Sequence, residues 1–388
     1  MTECVESDFH TLDRLAIESG TRQIRAKLLS DPERPHAAVL GAPATSEFGI
    51  LSREVNKKKR HLPLRQLFAR VPNLLVRLKP CLMMSPLAVS TYLESREFPF
   101  DVVIFDEASQ VLPWDAIGAV YRGCQLVVAG DQKQLPPSTF FDRMVNNNDD
   151  SEDADDLGDF ESVLDVLCSI GLPRKRLRWH YRSRREPLIA FSNHHFYDDD
   201  LVIFPSPDDL DGSTAVRFVH VPDGRWRSKA GFNPIEAKRI AELVLEHIPR
   251  HGSRSLGVIT FNQKQQLAVL DELMELRKNR PDLEPFFRED RPEAFFVKNL
   301  ENVQGDERDR IILSVAYGLN EETDWDSMSF GPLNRVGGER RLNVAVPRSR
   351  EAITLVSSIR SDYIDLIQGL VQQGRLRNVG DERLGVTI

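Results

Sequence analysis

Cysteine is scarce: Cys4, Cys81, Cys124 and Cys168 are the four in 388 residues. No two form a CxxC pair, so neither a disulfide framework nor a zinc ribbon is indicated, and they read as thiols of a reducing compartment. No apolar run approaches the ~20 residues that a membrane span needs, and the opening MTECVESDFHTLDRL lacks a basic stretch leading into an apolar one. The expectations are a cytoplasmic location and no membrane partner. No segment repeats at a period of about 20 to 50 residues. Net positive charge is also missing, with 51 Lys and Arg against 59 Asp and Glu, a balance of −8. Seven of those carboxylates crowd between Asp149 and Asp159, however, and the remainder carries 51 against 52. The acidity is one local tract, and it does not exclude a nucleic-acid partner, because local basic surface decides that.

What is present is an ordinary globular balance, 41% hydrophobic and 28% charged. That excludes collagen-like and low-complexity chains, and at ~150 residues per domain the length suggests two or three domains. Phe9, Leu12, Leu15 and Ile17 recur at helical spacing. From Phe48 to Leu78 the spacing predicts two or three short helices, interrupted by Pro63 and Pro72. Among them Lys57-Lys58-Lys59-Arg60-His61 reads either as a solvated face or as a phosphate-contacting surface. Cys81–Met84 reads as a strand, followed by Ser85 as N-cap, Pro86 at the first helical position and a helix over Leu87–Leu93.

Val102–Phe105 and Gln125–Ala129 are apolar runs without alternation, the pattern of parallel strands buried on both faces. Further strands are expected at Leu256–Thr260, Ile311–Val315 and Ala352–Val356, with helices at Pro234–Ile248 and Gln263–Leu276. The acidic tract cannot bury a core and reads as a linker. The expected division is therefore 1–157, a partial first domain with a helical N-terminal segment, and 158–388, a second parallel α/β domain.

Two segments carry chemistry on their own residues. Val102-Val103-Ile104-Phe105-Asp106-Glu107-Ala108-Ser109-Gln110 is a strand that delivers two adjacent carboxylates where it ends, the place at which open α/β sheets bind ligands. An Asp there can hold Mg²⁺ through water beside a nucleotide, and a neighbouring Glu can orient or deprotonate an attacking water. A strand-end pair that merely meets solvent is the alternative. Leu126-Val127-Val128-Ala129-Gly130-Asp131-Gln132-Lys133-Gln134-Leu135-Pro136-Pro137 ends a second strand in Gly-Asp and then sets a glutamine on a proline-stiffened loop. Such a glutamine suits a γ-phosphate sensor; an ordinary polar loop is the alternative.

In this order the segments resemble a superfamily 1 helicase of the Upf-like and Nam-like branch, whose strand-end signatures read DEASQ and GDxxQLPP. Three later segments continue the resemblance. They are Leu177-Arg178-Trp179-His180-Tyr181-Arg182-Ser183 with Phe191-Ser192-Asn193 and Phe196-Tyr197; Val303-Gln304-Gly305-Asp306-Glu307-Arg308-Asp309; and Arg340-Arg341-Leu342-Asn343-Val344-Ala345-Val346-Pro347-Arg348-Ser349-Arg350. Five ordered matches span roughly residues 81 to 360, and it is their order that separates them from isolated motifs.

The resemblance implies an α/β, P-loop NTPase-like fold with two RecA-like parallel-sheet domains, the first incomplete. It implies ATP and Mg²⁺ as cofactors and single-stranded DNA or RNA as the track, with 5′ to 3′ movement. Asp106 would hold the metal, Glu107 would position the hydrolytic water and Gln134 would couple the γ-phosphate to the nucleic-acid side. Arg182 and Arg348 would stabilise transition-state charge, with Arg350 as the fallback, because a planar guanidinium neutralises the charge that grows in phosphoryl transfer. Tyr181 would stack on the base, and Gln304, Gly305 and Glu307 would contact ribose, phosphate or strand backbone. Ser85 and Pro86 at a helix start, Lys57 and Lys58 in the basic block, and Asn262 after the strand Leu256–Thr260 would touch the track. Surface salt bridges for the arginines and plain capping for Ser85 are the structural alternatives. His194 and His195 are adjacent and would diverge on a helix, a poor metal pair.

The chain also departs from the family. No GxxxxGK[ST] occurs, and no glycine is followed by lysine. That loop supplies the backbone N–H groups and lysine for the phosphates and a hydroxyl for Mg²⁺. Gly41-Ala42-Pro43-Ala44-Thr45 lacks the lysine and loses a donor at Pro43. The expectation is a truncated helicase whose first sheet leaves a hydrophobic edge uncovered, with the phosphate loop supplied by an upstream chain or segment. Pro347 stands where the family has threonine, and His180 where it has glutamine. Two functions remain: an ATP-dependent helicase or translocase present as a fragment, or a catalytically inactive nucleic-acid- or protein-binding module derived from one.

Overall fold

The computed structural model describes residues 2–30, 43–94, 99–137, 160–203, 215–322, 330–334, 337–359 and 377–378. The acidic tract and Gly41-Ala42 lie outside them. The chain divides into two compact units, Met1–Asp106 with Leu112–Ala129, and Glu107–Val111 with Gly130–Ile388.

The first unit opens on α1 (Thr2–Ser30). Its helical spacing is real, but Phe9, Leu12, Leu15 and Ile17 stay more than half exposed. Four short helices follow: α2 (Glu47–Asn56), α3 (Leu64–Arg70), α4 (Pro72–Leu78) and α5 (Pro86–Tyr92). Ser46 caps α2 by accepting from Gly49 N at 3.1 Å, and Ser85 caps α5 by accepting from Ala88 N at 3.3 Å. Two of the starts carry proline at the first helical position, where its missing N–H has no cost. Strand β1 (Phe100–Phe105) pairs in parallel with β2 (Gly123–Val128), in the register Val102↔Gln125 to Phe105↔Val128, and α6 (Pro113–Val120) joins them.

Two expectations are corrected here. Cys81–Met84 forms no strand, with Cys81 exposed and Met83 94% exposed, because no described strand lies beside it to accept its backbone bonds. The β1–β2 pair is not buried on both faces: Val102, Ile104 and Val127 are exposed, because among the described residues the sheet has two strands. Continuous apolar sequence records what a strand can bury, not what covers it.

The second unit holds a parallel sheet of order β5-β4-β6-β7-β3-β8. Its strands are β3 (Val216–His220), β4 (Leu256–Thr260), β5 (Phe296–Asn299), β6 (Arg308–Ser314), β7 (Ser349–Ser357) and β8 (Arg377–Asn378). Helices α7 (Val163–Ser169), α8 (Pro187–Phe196), α9 (Pro234–His251), α10 (Gln263–Lys278), α11 (Glu284–Phe287) and α12 (Arg340–Ala345) complete it. One core joins Phe218, Ile259, Leu313 and Leu355 to Leu188 and Phe191 of α8 and Val344 of α12. The other joins Val219, Val258, Ile312 and Val356 to Ile240 and Val244 of α9 and Val269 of α10. The sheet thus has helices on both faces, which is why β4 reads as an unbroken apolar run. This is a parallel α/β architecture. Among the described residues no helix is long and apolar enough to cross a membrane.

Candidate active site

Glu107, Gln134, Arg182, Gln304, Glu307 and Arg348 all belong to the second unit. Glu107 sits in the left-handed region, φ 51° and ψ 42°, a conformation costly for a residue with a side chain and common where function holds the backbone. The loop that follows β2 comes close to this turn because position 130 is glycine: a Cβ there would lie 3.1 Å from Ala108 N and 3.2 Å from Ser109 N. Asp131 then folds the loop on itself, accepting from Lys133 N at 2.9 Å and from Gln134 Nε2 at 3.1 Å.

Gln304 ties these pieces together. Its Nε2 donates to Glu107 Oε2 at 3.1 Å and to Gln134 Oε1 at 3.4 Å, while its Oε1 is buried without a hydrogen-bond partner. Three side chains expected from separate motifs therefore converge on one amide, whose carbonyl oxygen is buried and unpaired. Next to Gln304, Gly305 has φ +89° with nothing within 4 Å of a hypothetical Cβ, so glycine is required there by backbone and not by crowding.

The arginines flank this group. Arg182 Nε meets Glu307 Oε2 at 2.8 Å. Arg348 is 3% exposed, and its Nε donates to Val344 O at 2.7 Å. Burial first, and then the like charge of Arg182, pushes its pKa down to about 10, while Glu107 and Glu307 oppose the shift. It stays charged at neutral pH. Arg350, the fallback, is held instead by Glu293, Asp309 and Ser255, with Glu307 3.6 Å from its Nη1. His180 accepts from Ser183 N at 3.0 Å, and burial, then Arg182, lowers its pKa to about 4, so it is a neutral acceptor. Tyr181 beside it is 87% exposed, an aromatic face open to solvent.

The remaining candidates divide between the two units. Asp106 follows β1 in the first unit, as do Ser85 and Pro86 at the start of α5. Lys57 closes on Glu54 at the end of α2, and Lys58 is exposed. Asn262, in the second unit, caps α10 by accepting from Gln265 N at 2.8 Å. His194 faces Asp199 at 3.0 Å. Among the described residues no group of three or more His, Cys, Asp or Glu is placed to hold a metal ion.

Tyr197 and Asn343 lie in the family-like segments with no role implied for them there. The Tyr197 hydroxyl donates to Asp131 Oδ2 at 2.6 Å and accepts from Asn343 Nδ2 at 2.9 Å, and Asn343 also donates to Lys133 O at 2.8 Å. Burial, then the Asp131 charge, raises the Tyr197 pKa, so the phenol keeps its proton. A second network went unread. Glu236 is fully buried in the first turn of α9, accepting from Ser314 Oγ and Ala316 N, each at 2.7 Å, and Gln265 bridges Asn233 and Ser314. Its signal was visible in Asn233-Pro234-Ile235-Glu236: an N-cap, a proline at N1 and a carboxylate at N3.

Residues 160–360 match the AAA_12 AAA-domain family, and residues 85–141 match the AAA_11 AAA-domain family. An uncharacterized ATP-dependent helicase of Mycoplasma pneumoniae is 38% identical over 283 residues, covering 68% of this chain and 24% of that protein. Its counterpart in Mycoplasma genitalium is 34% identical over 302 residues, covering 74% and 26%. A mouse protein named as a 5′-3′ DNA helicase is 26% identical over 273 residues, covering 68% and 13%. The chain spans about a quarter of the length of the two Mycoplasma relatives. With a parallel α/β sheet and the ordered segments in place, the chain belongs to the superfamily 1 helicases of the Upf-like branch.

Proposed function

We propose that this chain supplies the carboxylate, glutamine and arginine part of an ATP-hydrolysing motor that moves on single-stranded nucleic acid. The observation that carries the reading is the convergence of Glu107 and Gln134 on the Gln304 Nε2. A water beside this group donates a proton to the Glu107 carboxylate, which the Gln304 Nε2 holds in place. Glu107 thereby orients it and takes its proton as general base. ATP, when bound, supplies the phosphoryl group that this water attacks. Arg182 and Arg348 neutralise the charge that develops, and Arg348, buried and positive, does so in low dielectric, where the effect is largest. Gln134 and Gln304, hydrogen-bonded to each other, relate the state of the water to the loops on either side.

Asp106 is the carboxylate proposed for Mg²⁺, which takes few protein ligands beside phosphate oxygens and water. The phosphates require backbone donors and a lysine that no GxxxxGK[ST] in this sequence provides, so another segment or chain supplies them. On the track side, Tyr181 offers a stacking face. Ser85, Lys58 and Asn262 offer phosphate contacts, and the likeness to a named DNA helicase favours DNA. The domain division at the acidic tract and the cytoplasmic setting belong to the same proposal.

The missing loop favours one second reading, a module that binds nucleic acid or protein without turnover. Comparing ATP hydrolysis and strand binding for the chain and its Glu107→Gln variant separates the two. Turnover regained when a phosphate-loop segment is supplied, and lost in the variant, supports the motor; strand binding with no regained turnover supports the module.

A further inference from the structure

Between Asp8 and Lys27 every residue of α1 except the half-buried Gly20 is exposed, and Phe9, Leu12, Ile17 and Ile24 are each about two-thirds exposed. A helix in a protein draws most of its stability from packing one apolar face. α1 carries such a face uncovered. At about 100° per residue Leu12, Ala16, Phe9, Gly20, Ile24 and Ile17 fall, in that order around the axis, within an arc of about 140°. Arg14, Glu18 and Arg25 lie on the opposite side, where Glu18 pairs with Arg22 at 3.4 Å. The middle of the arc is small, Ala16 and Gly20, and a Cβ at Gly20 would meet nothing within 4 Å, so a second helix can come close there.

Charge along α1 selects the occupant. From Asp8 to Glu18 the helix carries Asp8, Asp13 and Glu18 against Arg14, and beyond Glu18 it carries Arg22, Arg25 and Lys27 with no acid. The acidic half repels nucleic-acid phosphate and anionic lipid, and a parallel copy of α1 would set like charge on like. An antiparallel copy sets each acidic half against a basic one and opposes the two helix dipoles.

We propose that α1 pairs antiparallel with α1 of a second copy of this chain, about a two-fold axis midway between Ala16 and Gly20. In that register Ala16 of one copy meets Gly20 of the other, and Leu12 meets Ile24. Phe9 meets Lys27, whose stem covers the ring while its ammonium reaches Asp13, one turn along. The axis repeats every contact, so each substitution acts twice. No residue of the candidate active site takes part, so the pairing is independent of the motor reading.

The test is sedimentation equilibrium of the full chain, with circular dichroism confirming that each variant folds. The chain is expected to dimerise reversibly, and Leu12→Asp to leave it monomeric. Lys27→Glu and Asp13→Lys, at exposed positions, are each expected to weaken the dimer about tenfold, and the double variant to return to within about threefold of the parent. In a parallel pair each single reversal would only exchange one like-charge contact for another. A chain that stays monomeric at about 100 μM overturns the proposal. So does a dimer that survives Leu12→Asp, and so does a double reversal that fails to restore what the single ones lose.

Discussion

Tyr197 is the point at which three segments distant in sequence meet, and removing its hydroxyl isolates what that junction contributes. In Tyr197→Phe the ring stays and the 2.6 Å bond to Asp131 disappears. A hydrogen bond to a charged acceptor is worth about 1.5–3 kcal/mol. No group is stranded, because Asp131 keeps Lys133 N and Gln134, and Asn343 keeps Lys133 O. The cost therefore sits low in that range, about 2 kcal/mol. At about 2–4 °C per kcal/mol for a unit of this size, the transition falls by roughly 4–8 °C. Stability alone does not prove the pairing, so the assay is a double-mutant cycle in urea with Asp131→Ala. A coupling energy of about 1.5 kcal/mol or more is expected. A coupling within about 0.5 kcal/mol of zero would show that the loop carrying Gln134 is not held through Tyr197, and the reasoning would be wrong.

Three other predictions follow from particular residues. Burial raises the Glu236 pKa from 4.5 to about 7, so its contribution to stability is whole below pH 4.5 and is lost as pH rises through 7. The difference is about 3 kcal/mol, and Glu236→Gln, which keeps an acceptor for Ala316 N, is expected to be the more stable form at pH 8 and level with the parent near pH 4, as pH-dependent urea unfolding will tell. His247 runs the other way: with its pKa lowered from 6.5 to about 4, its contribution is whole above pH 6.5 and fades on acidification toward 4, and His247→Gln should flatten that limb of the same profile. A Cβ on Gly257 would lie 2.5 Å from the Phe296 ring across the β4–β5 register. Gly257→Ala should accordingly cost about 1–3 kcal/mol by overpacking, and a paired Phe296→Leu should recover part of it.

The second sheet was legible because its central strands are buried on both faces and so spell themselves as apolar runs: β4 appears with the bounds its sequence predicts. β3, Val-Arg-Phe-Val-His, and β5, Phe-Val-Lys-Asn, escaped because charged and aromatic residues break so short a run. The misreading of Cys81–Met84 has the same root, since four apolar residues form a strand only where a neighbour offers backbone partners. The motif side chains were legible through their order, yet their mutual contacts were not. Nothing local in Val303-Gln304-Gly305 says that its glutamine reaches Glu107, 197 residues earlier. Asn233-Pro234-Ile235-Glu236 announced a helix start, but only tertiary contact shows that its carboxylate serves the end of β6.

The most direct test of the motor reading is Mg-ATP hydrolysis by the chain, with and without single-stranded DNA, beside Glu107→Gln and with strand binding followed by fluorescence anisotropy. With Glu107, Gln134 and Gln304 acting on water as proposed and no GxxxxGK[ST] in the sequence to cradle phosphate, strand binding that weakens with salt and no turnover by the chain alone are expected. Strand-stimulated turnover abolished by Glu107→Gln would contradict the need for a phosphate loop from elsewhere. A chain that binds no strand would contradict the motor itself.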